Sequence, residues 1–183
     1  MQDNETLHRD LSETGIDLEG VRRLFKRFCG FVARDRLSEL SSEAQPETVA
    51  EVDLTAAFAE NLLRVRGKVA CTVRRMCARC LTEFSSRVFA EVDRLFVPGS
   101  DPAEADSCQE MVEERTYLDG HPLSIAAVVE EELLLALPMI PVCQQACAGL
   151  CPTCGADRNQ EKCSCVETTT EGPFAVLKNL KTV

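Results

Sequence analysis

Residues 61–98 read NLLRVRGKVACTVRRMCARCLTEFSSRVFAEVDRLFVP. Leu63, Val65, Val69, Cys71 and Val73 fall on one side of an alternating run, and Arg64, Arg66, Lys68 and Arg74 on the other. A period of two belongs to a strand with one buried face. FSSRVFAEVDRLFVP is a second strand, stopped by Pro98 and Gly99. MCARCLTE joins the two, which predicts a hairpin with Cys77-x-x-Cys80 at its tip.

Upstream, ETVAEVDLTAAF begins the series of strands and SELSSEAQPE reads as a loop. IDLEGVRRLFKRFCG, residues 16–30, predicts a short amphipathic helix ending near Gly30, with Arg22, Arg23, Lys26 and Arg27 on its polar side. Downstream, residues 100–109 form a polar acidic loop, and EMVEERTYLDG a further strand into an Asp-Gly turn. Ser124 caps a helix over 125–137 that Pro138 ends. A cysteine-rich stretch and a closing segment, GPFAVLKNLKTV, follow. The expected fold is α+β: an antiparallel sheet or hairpin core, a few helices, and a small C-terminal cysteine-rich zinc-knuckle segment at 143–165. Residues 1–45 are expected to be a helical and loop extension of a domain over 46–183.

The 183 residues fit one domain with or without a small appendage, and a 45% apolar content with 5% aromatic allows a modest core of Leu, Val and Ala. Lacking tryptophan and with one tyrosine, the chain has no means of building broad aromatic stacking platforms. The start, MQDNETLHRDL, has neither a signal-type apolar run nor the acid-poor character of a transit peptide. Its most apolar segment, LSIAAVVEEELLLALPMIPV, is broken by Glu130, Glu131 and Glu132 and does not read as a membrane span. A cytoplasmic location is expected, where clustered cysteines more often bind metal or do redox chemistry than form disulfides. Eleven cysteines, an odd number, also fit poorly with complete pairing.

The net charge of −10 is unevenly spread. Residues 61–88 hold seven basic side chains against Glu83, and residues 101–137 hold ten acids against Arg115. Arg64, Arg66, Lys68 and Arg74 project from one strand face, an arrangement suited to phosphate contacts. The competing reading is that this stripe pairs internally with the acidic segment.

CQQACAGLCPTCGADRNQEKCSC, residues 143–165, holds six cysteines. A CxxC turn brings two thiolates to one point, and two such turns supply the four-thiolate set zinc prefers. In CPTCG, Pro152 stiffens the turn and Gly155 allows the backbone conformation needed after the knuckle; CARCL lacks that glycine. The preferred division places Cys77, Cys80, Cys143 and Cys147 in one site, and Cys151, Cys154, Cys163 and Cys165 in the other, giving one or two structural zinc ions. In the alternative, one of Cys163 and Cys165 is a bystander and Cys147 joins the second site. Cys29, Cys71 and Cys108 are left out, with Cys71 a small core residue. Neither CxxC opens a helix within a βαβ unit, as a thiol-redox site requires. The chain has two histidines, His8 and His121, and no His-x-Glu pattern, phosphate loop or GxSxG. No catalytic residue is expected.

VRRMCARCLTEF, EEELLLALPMIPVC, CAGLCPTCGADRNQEKCSC and PFAVLKNL together resemble the YceD family of large ribosomal RNA subunit accumulation proteins, over roughly residues 48–181. The resemblance implies a non-enzymatic bacterial or plastid factor for synthesis, processing or stability of 23S ribosomal RNA. The family's paired cysteines map onto Cys77 and Cys80, and its terminal cluster onto the six cysteines of 143–165. GADRNQEKC departs from the family's usual apolar residue before the asparagine, and the first forty residues match nothing in it. The partners expected are ribosomal RNA or a large-subunit ribosomal protein or assembly factor, with no membrane and no small-molecule substrate. The alternatives are a zinc-ribbon-type adaptor for a basic ribosomal or transcription protein, and a CxxC thiol-redox protein.

Overall fold

The hairpin of residues 62–98 is the spine of the structure. The computed structural model describes residues 9–59, 62–98, 115–118 and 122–165. Along these run β1 (Gly15–Ile16), α1 (Leu18–Arg23), β2 (Lys26–Val32), α2 (Ser38–Glu43), β3 (Gln45–Pro46), β4 (Ala50–Ala59), β5 (Leu62–Met76), β6 (Glu83–Pro98), β7 (Arg115–Leu118), β8 (Leu123–Ser124) and α3 (Ile125–Ala136). The main sheet has the order β2-β4-β5-β6-β7, with β3 added beside the far half of β5. β7 alone lies parallel, against Leu95–Pro98 of β6. β1 and β8 form a separate two-stranded pair.

β5 and β6 stay paired from Leu63↔Phe96 to Met76↔Glu83. β4 accompanies β5 only as far as Glu51↔Ala70, so the hairpin runs on past the sheet and carries its tip outward. Gly67 lets β4 approach: a Cβ there would lie 2.0 Å from the Asp53 carbonyl oxygen. The alternation in β5 is obeyed, with Leu63, Val65, Val69, Cys71 and Val73 all buried. Val52, Leu54, Val88, Val92 and Phe96 share that face and pack in one core with Ile125, Val129 and Leu133 of α3. This spacing along α3 turns one stripe of the helix to the sheet. Ser124 Oγ accepts the Ala127 N–H at the helix start, as expected. Arg94 also points inward from β6 and reaches Glu131 and Glu132 of α3, at 3.0 and 3.2 Å. Arg94 and Glu132 are largely shielded from solvent, and their contact fixes the helix over the sheet.

Two sequence expectations are corrected. Residues 16–30 are not one helix: α1 ends at Arg23, and Lys26–Val32 pair with β4 as a strand. Here Phe28, Gly30 and Val32 alternate inward, and sheet pairing outweighs the helical pattern. SELSSE is a helix rather than a loop, because Glu130 of α3 accepts the N–H groups of Glu39 and Leu40 at its start. Leu11, Ile16, Val21, Phe28, Leu37 and Leu40 join the same core as the later strands, so packing shows no boundary at residue 45. The acidic loop 100–109, the Asp119-Gly120 turn and the closing segment lie outside the described residues. No helix among the described residues is long and apolar enough to cross a membrane.

Candidate metal centre

The hairpin tip and the stretch after α3 meet to form one quartet of thiols, and that stretch alone forms a second. Cys77, Cys80, Cys143 and Cys147 make one and Cys151, Cys154, Cys163 and Cys165 the other, with the sulfurs of each within 4.8 Å of one another. This is the preferred division from the sequence: Cys147 stays with the first quartet, and both Cys163 and Cys165 join the second. With zinc–sulfur bonds of about 2.3 Å, a tetrahedron has sulfurs about 3.8 Å apart. The Cys77–Cys147 and Cys80–Cys143 separations are 3.8 and 3.7 Å, so the thiols fit such an ion.

Both CxxC turns have the same backbone. Leu81 N–H donates to the Cys77 carbonyl and Cys77 N–H to that of Thr82, each at 2.9 Å. The matching bonds in the second turn run from Gly155 to Cys151 at 2.9 Å and from Cys151 to Ala156 at 2.8 Å. The residue after each second cysteine is left-handed, with φ of +58° at Leu81 and +74° at Gly155. CARCL therefore forms the same knuckle as CPTCG, with leucine bearing a strain of about 1–2 kcal/mol that glycine escapes.

The first knuckle is anchored on every side. Ala78 N–H donates to the Pro141 carbonyl and Leu150 N–H to that of Arg79, at 2.8 and 2.9 Å. The Arg79 guanidinium reaches the Cys147 carbonyl at 3.1 Å, and Arg75 the Pro138 carbonyl at 2.9 Å. Asn159, from the loop between Cys154 and Cys163, accepts the Ala148 N–H and donates to Cys147 Sγ at 3.4 Å. Sequence reasoning missed Arg79 and Asn159, since neither is a ligand type; their position between paired cysteines was the available signal.

The electrostatics depress one thiol in each quartet. Burial works against charge on Cys77, but the N–H groups of Cys143, Cys80 and Arg79 outweigh it and hold the thiol down at about 6. The N–H groups of Cys154 and Thr153 pull Cys151 to about 6 against a smaller effect of burial. Burial and then the neighbouring thiols push Cys143 up to about 12, and Cys154 followed by burial does the same to Cys165. Neither CxxC opens a helix: one caps a hairpin and the other lies in a loop.

The basic stripe lies on the open face of the sheet. Arg64 and Arg66 share Asp93, at 2.7 and 3.1 Å. Lys68 faces Glu91 at 3.8 Å and Arg74 faces Glu47 at 2.7 Å. The acids 130–132 serve α2 and Arg94 instead, so among the described residues the stripe pairs within the sheet and its neighbouring loop rather than with the acidic segment. Cys29 donates to Asp53 beside Arg27 on this face, Cys71 is buried, and Cys108, His8 and His121 lie outside the described residues.

An α+β sheet carrying paired four-thiol clusters able to hold metal ions defines the class of protein. The chain belongs to the family described as large ribosomal RNA subunit accumulation protein YceD, whose model matches residues 65–181. It is 25% identical over 166 residues to the protein of that name from Haemophilus influenzae, covering 84% of this chain and 87% of that one. Uncharacterized proteins of Mycobacterium bovis and Mycobacterium tuberculosis are 34% identical over 109 residues, which is 57% of this chain and 49% of theirs. The aligned region thus spans about half the length of these mycobacterial relatives. No solved structure matches the chain.

Proposed function

We propose that this chain is a non-enzymatic cytoplasmic factor for the synthesis, processing or stability of 23S ribosomal RNA in large-subunit assembly, and that its quartets hold zinc in closed structural sites. Membership of the family, with the name carried by the Haemophilus influenzae relative, supports the ribosomal half. The donor set carries the zinc half: each quartet consists of four thiols. Four thiolates complete the tetrahedral shell of zinc and leave no position for an activated water, so the ion would cross-link rather than catalyse. The chain's own residues provide the rest of the site. Backbone N–H groups stabilise charged sulfur, while Arg79 and Asn159 hold the Cys147 side of the first quartet in place.

Arg64, Arg66, Lys68 and Arg74 are the candidate RNA contacts, with side chains about half exposed. Their surface ion pairs are each worth about 0–1 kcal/mol, which phosphate can displace. Depleting the protein should lower 23S relative to 16S ribosomal RNA, and the wild-type chain should restore it where Cys77→Ser does not. Unchanged 23S rRNA on depletion would overturn the ribosomal reading. A purified chain that takes up no zinc would overturn the metal reading separately. If the four cations touch RNA, replacing them with alanine should flatten the salt dependence of binding by about 0.7–0.9 per contact. The carboxylate partners of the stripe and the net charge of −10 favour a second reading, in which the chain is an adaptor for a basic ribosomal protein. Co-purification with such a protein, free of RNA, would support it.

A further inference from the structure

The two quartets are neighbours in sequence, and one side chain joins them in space. Asn159 sits midway along the loop whose ends are Cys154 and Cys163, both members of the exposed quartet. Its amide nevertheless reaches the buried quartet. The side-chain oxygen accepts the Ala148 N–H at 2.8 Å, which only an oxygen can do, and this fixes which end of the amide faces the sulfur. The Nδ2–H group then donates to Cys147 Sγ at 3.4 Å. Asp157 Oδ1 holds Asn159 from behind, accepting its backbone N–H at 2.9 Å and its Nδ2–H at 2.6 Å. The same loop is pinned to the strand-like stretch before Cys151 by Arg158 N–H to the Gly149 carbonyl at 2.9 Å and by the Leu150–Asp157 bridge.

A donor to a metal-bound thiolate orients the ligand and lowers the cost of its charge, and such outer partners typically change metal affinity about 10–100-fold. Asn159 can supply that donor only while its loop keeps this shape. Cys154 and Cys163 close the loop onto one point when the exposed quartet is filled. We infer that metal occupancy of the two quartets is coupled, with Asn159 the positioning residue through which the exposed quartet raises the affinity of the buried one. This rests on the reading that both quartets take a metal ion. Linkage makes the effect mutual: the buried quartet must favour the exposed one by the same factor. Loss of metal from the exposed quartet therefore loosens the Cys77–Cys80 hairpin tip, although none of its thiols belongs to that tip.

The test is a double-mutant cycle on the full chain, using zinc against a competing chelator and, separately, cobalt(II). Occupancy of the buried quartet is read from the amide resonances of Ala78 and Arg79, and integrity of the sheet from those of Val65 and Val69. Cys154→Ser and Asn159→Ala should each lower affinity at the buried quartet about 10-fold or more, and the double variant should lose no more than the larger single loss. Asn159→Asp keeps the shape and the bond from Ala148 but cannot donate to sulfur, so it should lose at least as much as alanine. In the cobalt-loaded Asn159→Ala chain the sulfur-to-metal charge-transfer band should move to lower energy, because the thiolate has lost a hydrogen bond. If Cys154→Ser disturbs the sheet resonances, the Asn159→Ala and Asn159→Asp affinities with the cobalt spectrum decide the matter, since all eight thiols remain. Multiplying losses in the double variant, an unchanged buried site in Cys154→Ser, or wild-type affinity in Asn159→Asp would each overturn the coupling. Two ions bound with unchanged affinities refute the coupling alone, whereas a chain that binds no metal refutes the reading beneath it.

Discussion

The two knuckles share a backbone and differ in everything around it. Each is closed by the same pair of hydrogen bonds, and each turns through a left-handed residue after its second cysteine. The first is built into the hairpin tip and buries Cys77, Cys80 and Cys147 against Phe84 and Val142. In the second, Cys151 is buried while Cys154 and Cys165 are exposed. Local spacing thus sets the shape of a thiol turn, and the structure beyond it sets how much depends on that turn. The first quartet ties two distant parts of the chain together. The second closes a loop.

The largest expected effect follows from removing metal. Structural zinc contributes on the order of 10–16 kcal/mol in small modules, so chelation should abolish hydrogen-exchange protection across 143–165 and at the hairpin tip. β4 through β6 should remain protected, since their core lies under α3. A chelated chain with unchanged protection at 143–165 would remove the basis for comparing the knuckles as metal sites.

Next in size is the contrast between ligands. Cys77→Ser should lower the melting temperature by about 5–10 °C, several times the loss from Cys154→Ser, since a kcal/mol corresponds to about 2–4 °C at this chain length. Calorimetry on both variants checks this, and equal losses would mean that burial does not separate the two quartets.

The left-handed residues give a smaller and opposite pair. Gly155→Leu should cost about 1–2 kcal/mol, and Leu81→Gly should recover up to about 1 kcal/mol, less whatever the leucine side chain contributes by packing. Chemical denaturation of the metal-loaded proteins measures both. The same sign in the two would show that the turns are less alike than their hydrogen bonds indicate.

The smallest effect is one in which the quartets should agree. Cys77 and Cys151 are both held at about 6, below the ordinary thiol value of 9.0. A depressed pKa gives stability that is fully present above the unfolded value and is lost as pH falls through the folded one. The metal-loaded chain should therefore keep both ions from pH 9 down to about 6 and release them below it, where protons compete for Cys77 and Cys151, as a zinc-release titration against pH would read. Release from one quartet well above the other would separate the knuckles where the structure makes them equal.

Much of this architecture was legible in residue order. The alternation of β5, the stop at Pro98 and the Ser124 cap are local signals, and the structure keeps all three. Residues 26–32 were harder, because VRRLFKRFCG satisfies a helical period while Phe28, Gly30 and Val32 satisfy a period of two. Pairing with β4 chose the second, and left Leu24 and Phe25 exposed in the connection. The helix at SELSSE depends on a carboxylate about ninety residues away, which no local window contains.

The sequence by itself determined the two CxxC turns and the one-sided polarity of the central strands, and offered two divisions of the eight cysteines, because each rests on spacing along the chain. Only the tertiary structure decided which quartet is buried and that Arg94 pins α3. It also decided that Arg64, Arg66, Lys68 and Arg74 already face carboxylates, and that an asparagine from one quartet reaches a sulfur of the other. The physical reason is the same in each case. A turn or a strand face is fixed by bonds a few residues apart. Burial and long-range hydrogen bonds depend on which segments the fold brings together.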